Sequence, residues 1–346
     1  MIEDSQVSVA CDAFRLPADP SARTFLGGAG GYSGAQLWRV NDVGGTRCVR
    51  RWPSAYPNRS QLTLIHQAIT HVHAAGADFV SDYRATSDGK TMVALGDHLW
   101  EAGRWMPGRP AERPIGERKM SAAATAVGVF HEAMASCRSP ETGSQLTTSP
   151  GIKRRLAMLQ HWQKRTPRDT ITQARARGVD AAIVAMIPDF INQFQRVSRQ
   201  LEGLLQHWSQ VPIMLSFCLR DIREEHVLFT GDRVTGIIDY GSMGWENQSA
   251  DLARLLGSMD DIDPSVWTKG LDAFANHSRL SQTEIDMSRV FHVANVVLSG
   301  LQWLEWLAYE GRIFSPTNLV QDRLRRLLAS LMHLQLERWT DRSIGH

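Results

Sequence analysis

Asp221, His226 and Asp239 stand close together in the stretch CLRDIREEHVLFTGDRVTGIIDY, from Cys218 to Tyr240. Val227, Leu228 and Phe229 form a short apolar run, and Val234 to Ile238 form a second, partly β-branched one. Between them lies Thr230-Gly231-Asp232-Arg233, a polar turn whose glycine permits positive φ, so the pattern predicts a hairpin. The loop entering the first strand and the residues leaving the second sit at the same end of a hairpin, so the three side chains are expected to converge. Two carboxylates and a further ligand suit phosphoryl transfer, whose catalysis is mostly positioning and charge neutralisation. One carboxylate accepts or orients the proton of an attacking hydroxyl, while the other, with the further ligand, holds magnesium against nucleotide phosphates. Asp221 is the candidate base, Asp239 the candidate metal ligand and His226 the further one.

A plainer reading exists for each residue. An aspartate at a hairpin entrance often caps a turn and does no chemistry. Asp239 fits that reading less well, because it directly follows the apolar run Gly236-Ile237-Ile238. A carboxylate at the end of a buried strand needs a partner or a metal, since an unpaired buried charge is costly.

Leu219, Arg220, Asp221, His226 and Asp239 together resemble the signature of the aminoglycoside phosphotransferase and choline kinase group, which runs His-Gly-Asp, four residues, Asn, a hairpin, then Asp. Downstream, Gly244-Trp245 and Ser249-Ala250-Asp251-Leu252-Ala253 resemble the continuation into a helix. The resemblance implies an α+β, two-lobed protein kinase-like fold, with a small β-rich N-lobe and a larger, mainly helical C-lobe. It also implies ATP and Mg2+ as cofactors and phosphorylation of a small-molecule hydroxyl acceptor. Asp221 would orient the acceptor, and Asp239 would be the principal magnesium ligand. Leu219-Arg220 replaces His-Gly, and Arg220 is expected to steady the loop by pairing with a carboxylate. His226 replaces asparagine, which puts an imidazole where magnesium prefers oxygen.

The elements that would position these groups follow from the rest of the chain. Leu26 to Val40 reads LGGAGGYSGAQLWRV, a glycine-rich loop leading into a strand. Glycine lets backbone N–H groups approach phosphate oxygens closely, and in a kinase-like N-lobe Gly31, Ser33 and Gly34 would lie nearest the nucleotide; a flexible turn is the plainer alternative. A second strand, Arg47 to Trp52, places Cys48 and Arg50 on one face by alternation. Arg50 is the candidate phosphate-binding cation, with a solvated edge charge as the alternative. The following helix, about Arg59 to Ala75, should carry a glutamate to pair with that cation, yet it contains none; His66 and Gln67 occupy the region. Strands are expected over Thr91 to Leu95 and His98 to Trp105. The sequence Trp105-Met106-Pro107-Gly108 resembles the family's junction between lobes, which puts adenine near Arg104, Trp105 and Met106, with Trp105 packing on the base or in the core. The lobes would therefore be 1–107 and 108–346.

Composition limits the remaining possibilities. The chain has 346 residues, four scattered cysteines and a formal net charge of +2. That length supports a large core, and the near-neutral charge gives no general case for nucleic acid or an anionic membrane. The cysteines lack metal-ligand spacing and suit a reduced cytoplasmic compartment. The beginning, MIEDSQVSVACDAF, has no basic region followed by an apolar stretch, so no secretory signal is expected. Val290 to Ala308 is interrupted by His292, Asn295, Gln302 and Glu305, which suits a buried or amphipathic helix of a soluble domain better than a membrane span. The basic segment Lys153 to Arg177 reads as a solvated helix face, with contact to RNA or to an anionic substrate or partner as the alternative. Asp260, Asp261 and Asp263 with Trp303 and Trp306 would suit a cationic acceptor, although a helix cap and core tryptophans explain them as well. The changed asparagine position and missing helix glutamate leave a second function open: a catalytically impaired, nucleotide-binding pseudokinase with a regulatory role.

Overall fold

Residues 2–28, 34–137, 143–259 and 264–340 are described by the computed structural model. In chain order the elements begin with α1 (Ile2–Ala13), β1 (Arg23–Gly27), β2 (Gln36–Asp42), β3 (Gly45–Arg51), α2 (Arg59–Ala74), β4 (Met92–Leu95), β5 (His98–Arg104) and β6 (Arg109–Pro110). They continue with α3 (Glu117–Ala135), β7 (Gln145–Thr148), α4 (Pro150–Trp162), α5 (Pro167–Ala176), α6 (Ala181–Trp208), β8 (Pro212–Cys218), β9 (Val227–Thr230) and β10 (Arg233–Ile237). The rest is β11 (Gly244–Glu246), α7 (Gln248–Met259), α8 (Pro264–Ala275), α9 (Gln282–Leu304), α10 (Thr317–His333) and α11 (Glu337–Thr340). The chain forms two compact units, neither continuous in sequence. The first comprises Met1–Arg113, Val129–Gly143 and Glu224–Gly244, and the second Pro114–Gly128, Ser144–Arg223 and Trp245–His346.

An antiparallel sheet in the order β1-β2-β3-β5-β4 dominates the first unit. Alternation gives it two different faces. Trp38, Val40, Val49, Trp100 and Ala102 form one apolar cluster with Val7, Ala10, Cys11 and Phe14 of α1. The amino-terminal segment, expected only to lack a signal peptide, is thus a helix covering this sheet face. Cys48 and Arg50 alternate onto the opposite face, as the strand pattern predicted. Helix α2 starts at a capping box in which Asn58 and Gln61 satisfy each other's backbone N–H groups. The expected hairpin is β9–β10, with Gly231 at φ 63° in the turn, and β6 pairs with the outer edge of β9.

Helices make up most of the second unit. Its longest, α6, begins at Asp180, whose side chain caps the first turn, and buries Ile187, Phe190, Ile191, Phe194 and Leu201. Helix α9 starts at a Ser281/Glu284 capping box and buries Val290, Phe291, Val293, Val297 and Leu301. It ends in a π-helical turn over Glu305–Tyr309. Phe190 packs so closely on Gly300 that a Cβ there would fall 2.1 Å from the ring. A small sheet in the order β11-β8-β7 carries the chain into the loop containing Asp221. Just before α4, β7 pairs antiparallel with β8.

Several expectations about the helical region are met in part. Among the described residues no helix is long and apolar enough to cross a membrane. In the basic segment Lys153, Lys164, Arg168 and Arg175 are exposed, as expected. Arg155 and Arg165 are not: Arg155 lies 4.7 Å over the Phe291 ring and Arg165 3.7 Å over Tyr309. Trp303 is buried, while Trp306 is half-buried beside it and Phe314. Asp260, Asp261 and Asp263 lie outside the described residues.

Candidate active site

Within the first unit the hairpin brings His226 and Asp239 together, with His226 Nε2 3.7 Å from Asp239 Oδ2. His226 closes a short 3-10 turn just before β9, and its carbonyl accepts from the Ile238 N–H at 3.0 Å. Asp239 follows two residues after β10 and adopts the left-handed backbone region, φ 66° and ψ 64°. For a residue with a Cβ that conformation costs about 1 kcal/mol and persists only where neighbours enforce it. The neighbours here are well tied. The Ser81 N–H donates to Tyr240 Oη at 3.2 Å, the Tyr240 hydroxyl donates to the Ile237 carbonyl, and the Tyr56 hydroxyl donates to the Gly241 carbonyl at 2.9 Å. The Asp239 side chain is 41% exposed and, among the described residues, accepts no hydrogen bond.

Arg50 approaches the other carboxylate oxygen, with Nη1 3.9 Å from Asp239 Oδ1. Its Nε lies 3.7 Å from Glu101 Oε1, and its guanidinium lies 4.6 Å over the Trp52 ring. Arg50 and Glu101 are direct cross-strand partners in the β3–β5 register. Buried Glu101 is further held by His66 Nε2 at 2.9 Å and Trp52 Nε1 at 2.9 Å. His66 Nδ1 lies 2.7 Å from Thr91 Oγ1, and its ring stacks on Tyr83. Burial alone would raise the Glu101 pKa, but the His66 hydrogen bond and the Arg50 charge outweigh it and hold the carboxyl below the usual range. Burial alone would likewise push the Arg50 guanidinium down, yet Glu101 and then Asp239 reverse this and fix the cation more firmly.

Of the glycine-rich loop, Gly31 and Ser33 lie outside the described residues. Gly34 has φ +76° and would meet only the Pro53 Cβ, at 4.0 Å, if it carried a side chain. The loop joins the antiparallel strands β1 and β2. At the proposed adenine segment, the Arg104 N–H donates to Ser81 Oγ at 2.9 Å, and the Trp105 N–H donates to the Thr46 carbonyl at 3.0 Å. Met106 is buried, while Trp105 is half-buried with the Arg39 guanidinium 5.2 Å above it.

Asp221 belongs to the second unit, where two arginines hold it. Arg254 on α7 approaches Oδ1 through Nε at 2.9 Å and Nη2 at 2.8 Å, and Arg223 Nη2 lies 3.5 Å from Oδ2. The loop before it is anchored by fully buried Asp251, which accepts from the backbone N–H groups of Leu219 at 2.8 Å and Arg220 at 2.6 Å. Arg220 therefore meets a carboxylate through its main chain. Its side chain, expected to form the pairing, makes no ion pair among the described residues. Its φ is 67°, at the position where the signature has glycine.

Glu101, Asp251 and Arg254 were not singled out for these roles. Asp251 was visible as part of the family-like helix start, but its buried carboxylate's partners depend on the tertiary fold. Glu101 carried one usable signal, a glutamate inside the apolar strand sequence HLWEAGR. Its pairing with Arg50 depends on the register of two strands far apart in sequence.

A β-sheet unit with a largely helical remainder defines the α+β protein kinase-like fold, which solved structures share. An amicoumacin kinase in complex with AMP-PNP, Ca2+ and Ami superimposes with a TM-score of 0.66 at 12% identity, covering 97% of each chain. A microcompartment-associated aminopropanol kinase gives 0.66 at 16% identity, again over 97% of each. An aminoglycoside phosphotransferase from Alicyclobacillus acidocaldarius gives 0.56 at 18%, covering 87% of this chain and 90% of that one. Identity this low carries the fold alone. No curated protein matches the chain by sequence. The chain does match the model of the phosphotransferase enzyme family over residues 24–290, and it belongs to that family.

Proposed function

We propose that the protein transfers the γ-phosphoryl group of ATP to a hydroxyl of a small molecule. The observation that carries this reading is Asp239: a partly exposed carboxylate in a left-handed conformation, flanked by Arg50 and His226 and accepting no hydrogen bond among the described residues. Such a group fits magnesium, which is usually held by one or two carboxylates, substrate phosphates and retained waters. Bound there, Mg2+ would neutralise phosphate charge, with Asp239 as the oxygen ligand and His226 beside it as a nitrogen donor.

Arg50, held by Glu101, would bind phosphate oxygens through its planar fork of donors. Gly31, Ser33 and Gly34 would cover the phosphates, and the Arg104–Met106 segment would take the adenine. Asp221, oriented by Arg254 and Arg223, would accept the acceptor's hydroxyl proton. As the acceptor oxygen bonds to the γ-phosphorus, the bond from that phosphorus to the bridging oxygen breaks and ADP leaves.

A second reading, a nucleotide-binding pseudokinase, is favoured by the close pairing of Asp221 Oδ1 with Arg254. Thermal shift with ATP and magnesium, followed by turnover against amino alcohols, aminoglycosides, sugars and hydroxy acids, separates the two. The kinase reading expects binding and turnover, with Asp239→Ala abolishing the metal-dependent part of the shift. Binding without turnover on any acceptor would favour the pseudokinase, and the absence of nucleotide binding would remove both.

A further inference from the structure

Arginine is over-supplied around Asp221 within the second unit. The Asp251 carboxylate accepts from two backbone N–H groups, and Asp221 is already paired with Arg254 and Arg223. Glu246, the remaining carboxylate, is buried and engaged by Ser149 Oγ at 2.6 Å, the Asn247 N–H at 3.0 Å and the Gly151 N–H. Arg154 reaches it only at 3.6 Å, and the Arg154 side chain remains 52% exposed. The geometry links these groups to the catalytic loop, since the Glu246 carbonyl accepts from Cys218 Sγ at 3.1 Å, two residues before Arg220.

Further observations point to a ligand. Arg155 donates through Nε and Nη2 to Asn295 Oδ1, at 3.3 and 2.7 Å, and through Nη1 to the Gly151 carbonyl at 3.1 Å, while the buried Asn295 Nδ2 has no acceptor among the described residues. That atom is a donor, so the unfilled demand is for an acceptor, as an anion would supply. Burial pushes the Arg155 guanidinium down to about 10, with Arg254, Arg154 and Arg220 adding repulsion against Glu246. Burial and then Arg220 lower Arg154 as well. Arg220 holds a left-handed backbone that glycine would adopt without strain, and among the described residues its guanidinium has no ion-pair partner. Strain at a half-buried, uncompensated cation suits a side chain kept for binding.

We infer that the acceptor carries an anionic oxygen group, a carboxylate or a phosphate ester, bound by Arg154, Arg155 and Arg220 beside Asp221. The inference rests on the phosphotransferase reading for the word acceptor, while the anion site itself can be tested apart from it. It opposes the cationic acceptor suggested by the acidic and tryptophan residues of the sequence.

Isothermal titration of the nucleotide-free full chain with D-glycerate and with ribose 5-phosphate separates the two anion sources. 1-Amino-2-propanol and ribose serve as the cationic and neutral controls. At least one anion should bind, at least tenfold more tightly than either control and more weakly as salt rises. Arg154→Ala and Arg220→Gly should each weaken it tenfold or more. Arg50→Ala should leave it unchanged, which separates this site from one for nucleotide phosphates. Arg220→Gly also relieves strain, so its thermal midpoint should hold or rise, and lost binding there would not be lost folding. Equal or tighter binding of the amino alcohol, no anion binding, loss only in Arg50→Ala, or unchanged affinity in both arginine variants would overturn the inference. Anion binding without phosphoryl transfer to any acceptor would leave the site standing and remove the kinase reading.

Discussion

Glu101 supplies, from a strand, the carboxylate that the sequence suggested was missing from the helix. His66 of α2 still takes part, because it holds Glu101 where a helix glutamate would have reached the cation directly. Replacing Glu101 with Gln keeps the shape but leaves the buried Arg50 charge without its cross-strand partner, a loss of about 3–5 kcal/mol in stability. Nucleotide affinity should fall about tenfold, since a mis-set guanidinium loses bidentate geometry; titration with ATP measures it, and unchanged affinity would remove Glu101 from this role. The pH sign follows from its depressed pKa. Its stabilisation is present above the ordinary carboxyl value of about 4.5 and lost as pH falls through the lower folded value. At this scale motif and alternation pointed to Asp221, His226, Asp239 and Arg50 as candidates. It did not show Glu101 or Arg254, whose partners come from separate elements.

Loops here take their shape from the elements beneath them. The Cys218–Asp221 loop hangs on α7 through Asp251, and the turn after Asp239 hangs on Tyr240 and on Gly241, where an added Cβ would lie 2.8 Å from the Trp52 ring. Asp251→Ala would strip the acceptor from two N–H groups at about 1–3 kcal/mol each. If the loop bears the base and not the nucleotide contacts, as proposed, kcat should fall at least a hundredfold while ATP affinity changes less than threefold; equal losses in both would mean general unfolding. The β9–β10 hairpin was legible because turn glycine and strand alternation agree there, and helices α2 and α7 were legible through the family resemblance. Helix α1 was not anticipated, since its apolar face, Val7, Ala10, Cys11 and Phe14, makes sense only against the sheet. Strand β7 is short and polar, and it exists by pairing with β8, which local sequence does not reveal.

At the scale of the whole molecule, the chain passes more than once between its two compact units, so the unit boundaries follow tertiary contacts more than any composition shift. One core feature makes stability depend on pH. His292 is buried between Trp267 and Trp339 with neither ring nitrogen hydrogen-bonded among the described residues, and burial pushes it down to about 3. Its neutral form is tolerated above about pH 6.5. Below that the unfolded chain takes up a proton that the folded one refuses, so stability drops by roughly 3–5 kcal/mol as pH falls toward 3. Denaturant midpoints from pH 7 to 4 should fall steeply in the native protein and less steeply in His292→Leu; parallel curves would remove His292 as the cause. The α+β kinase-like class was legible through the family resemblance carried by two carboxylates spaced around a hairpin, because phosphoryl transfer constrains that spacing more than it constrains the supporting residues. The most direct test of the proposed chemistry is single-turnover phosphoryl transfer from ATP to the best acceptor in the native protein and in Asp221→Asn. A fall in rate of at least a hundredfold, with ATP affinity unchanged, is expected if Asp221 accepts the hydroxyl proton; transfer at the native rate in Asp221→Asn would contradict it.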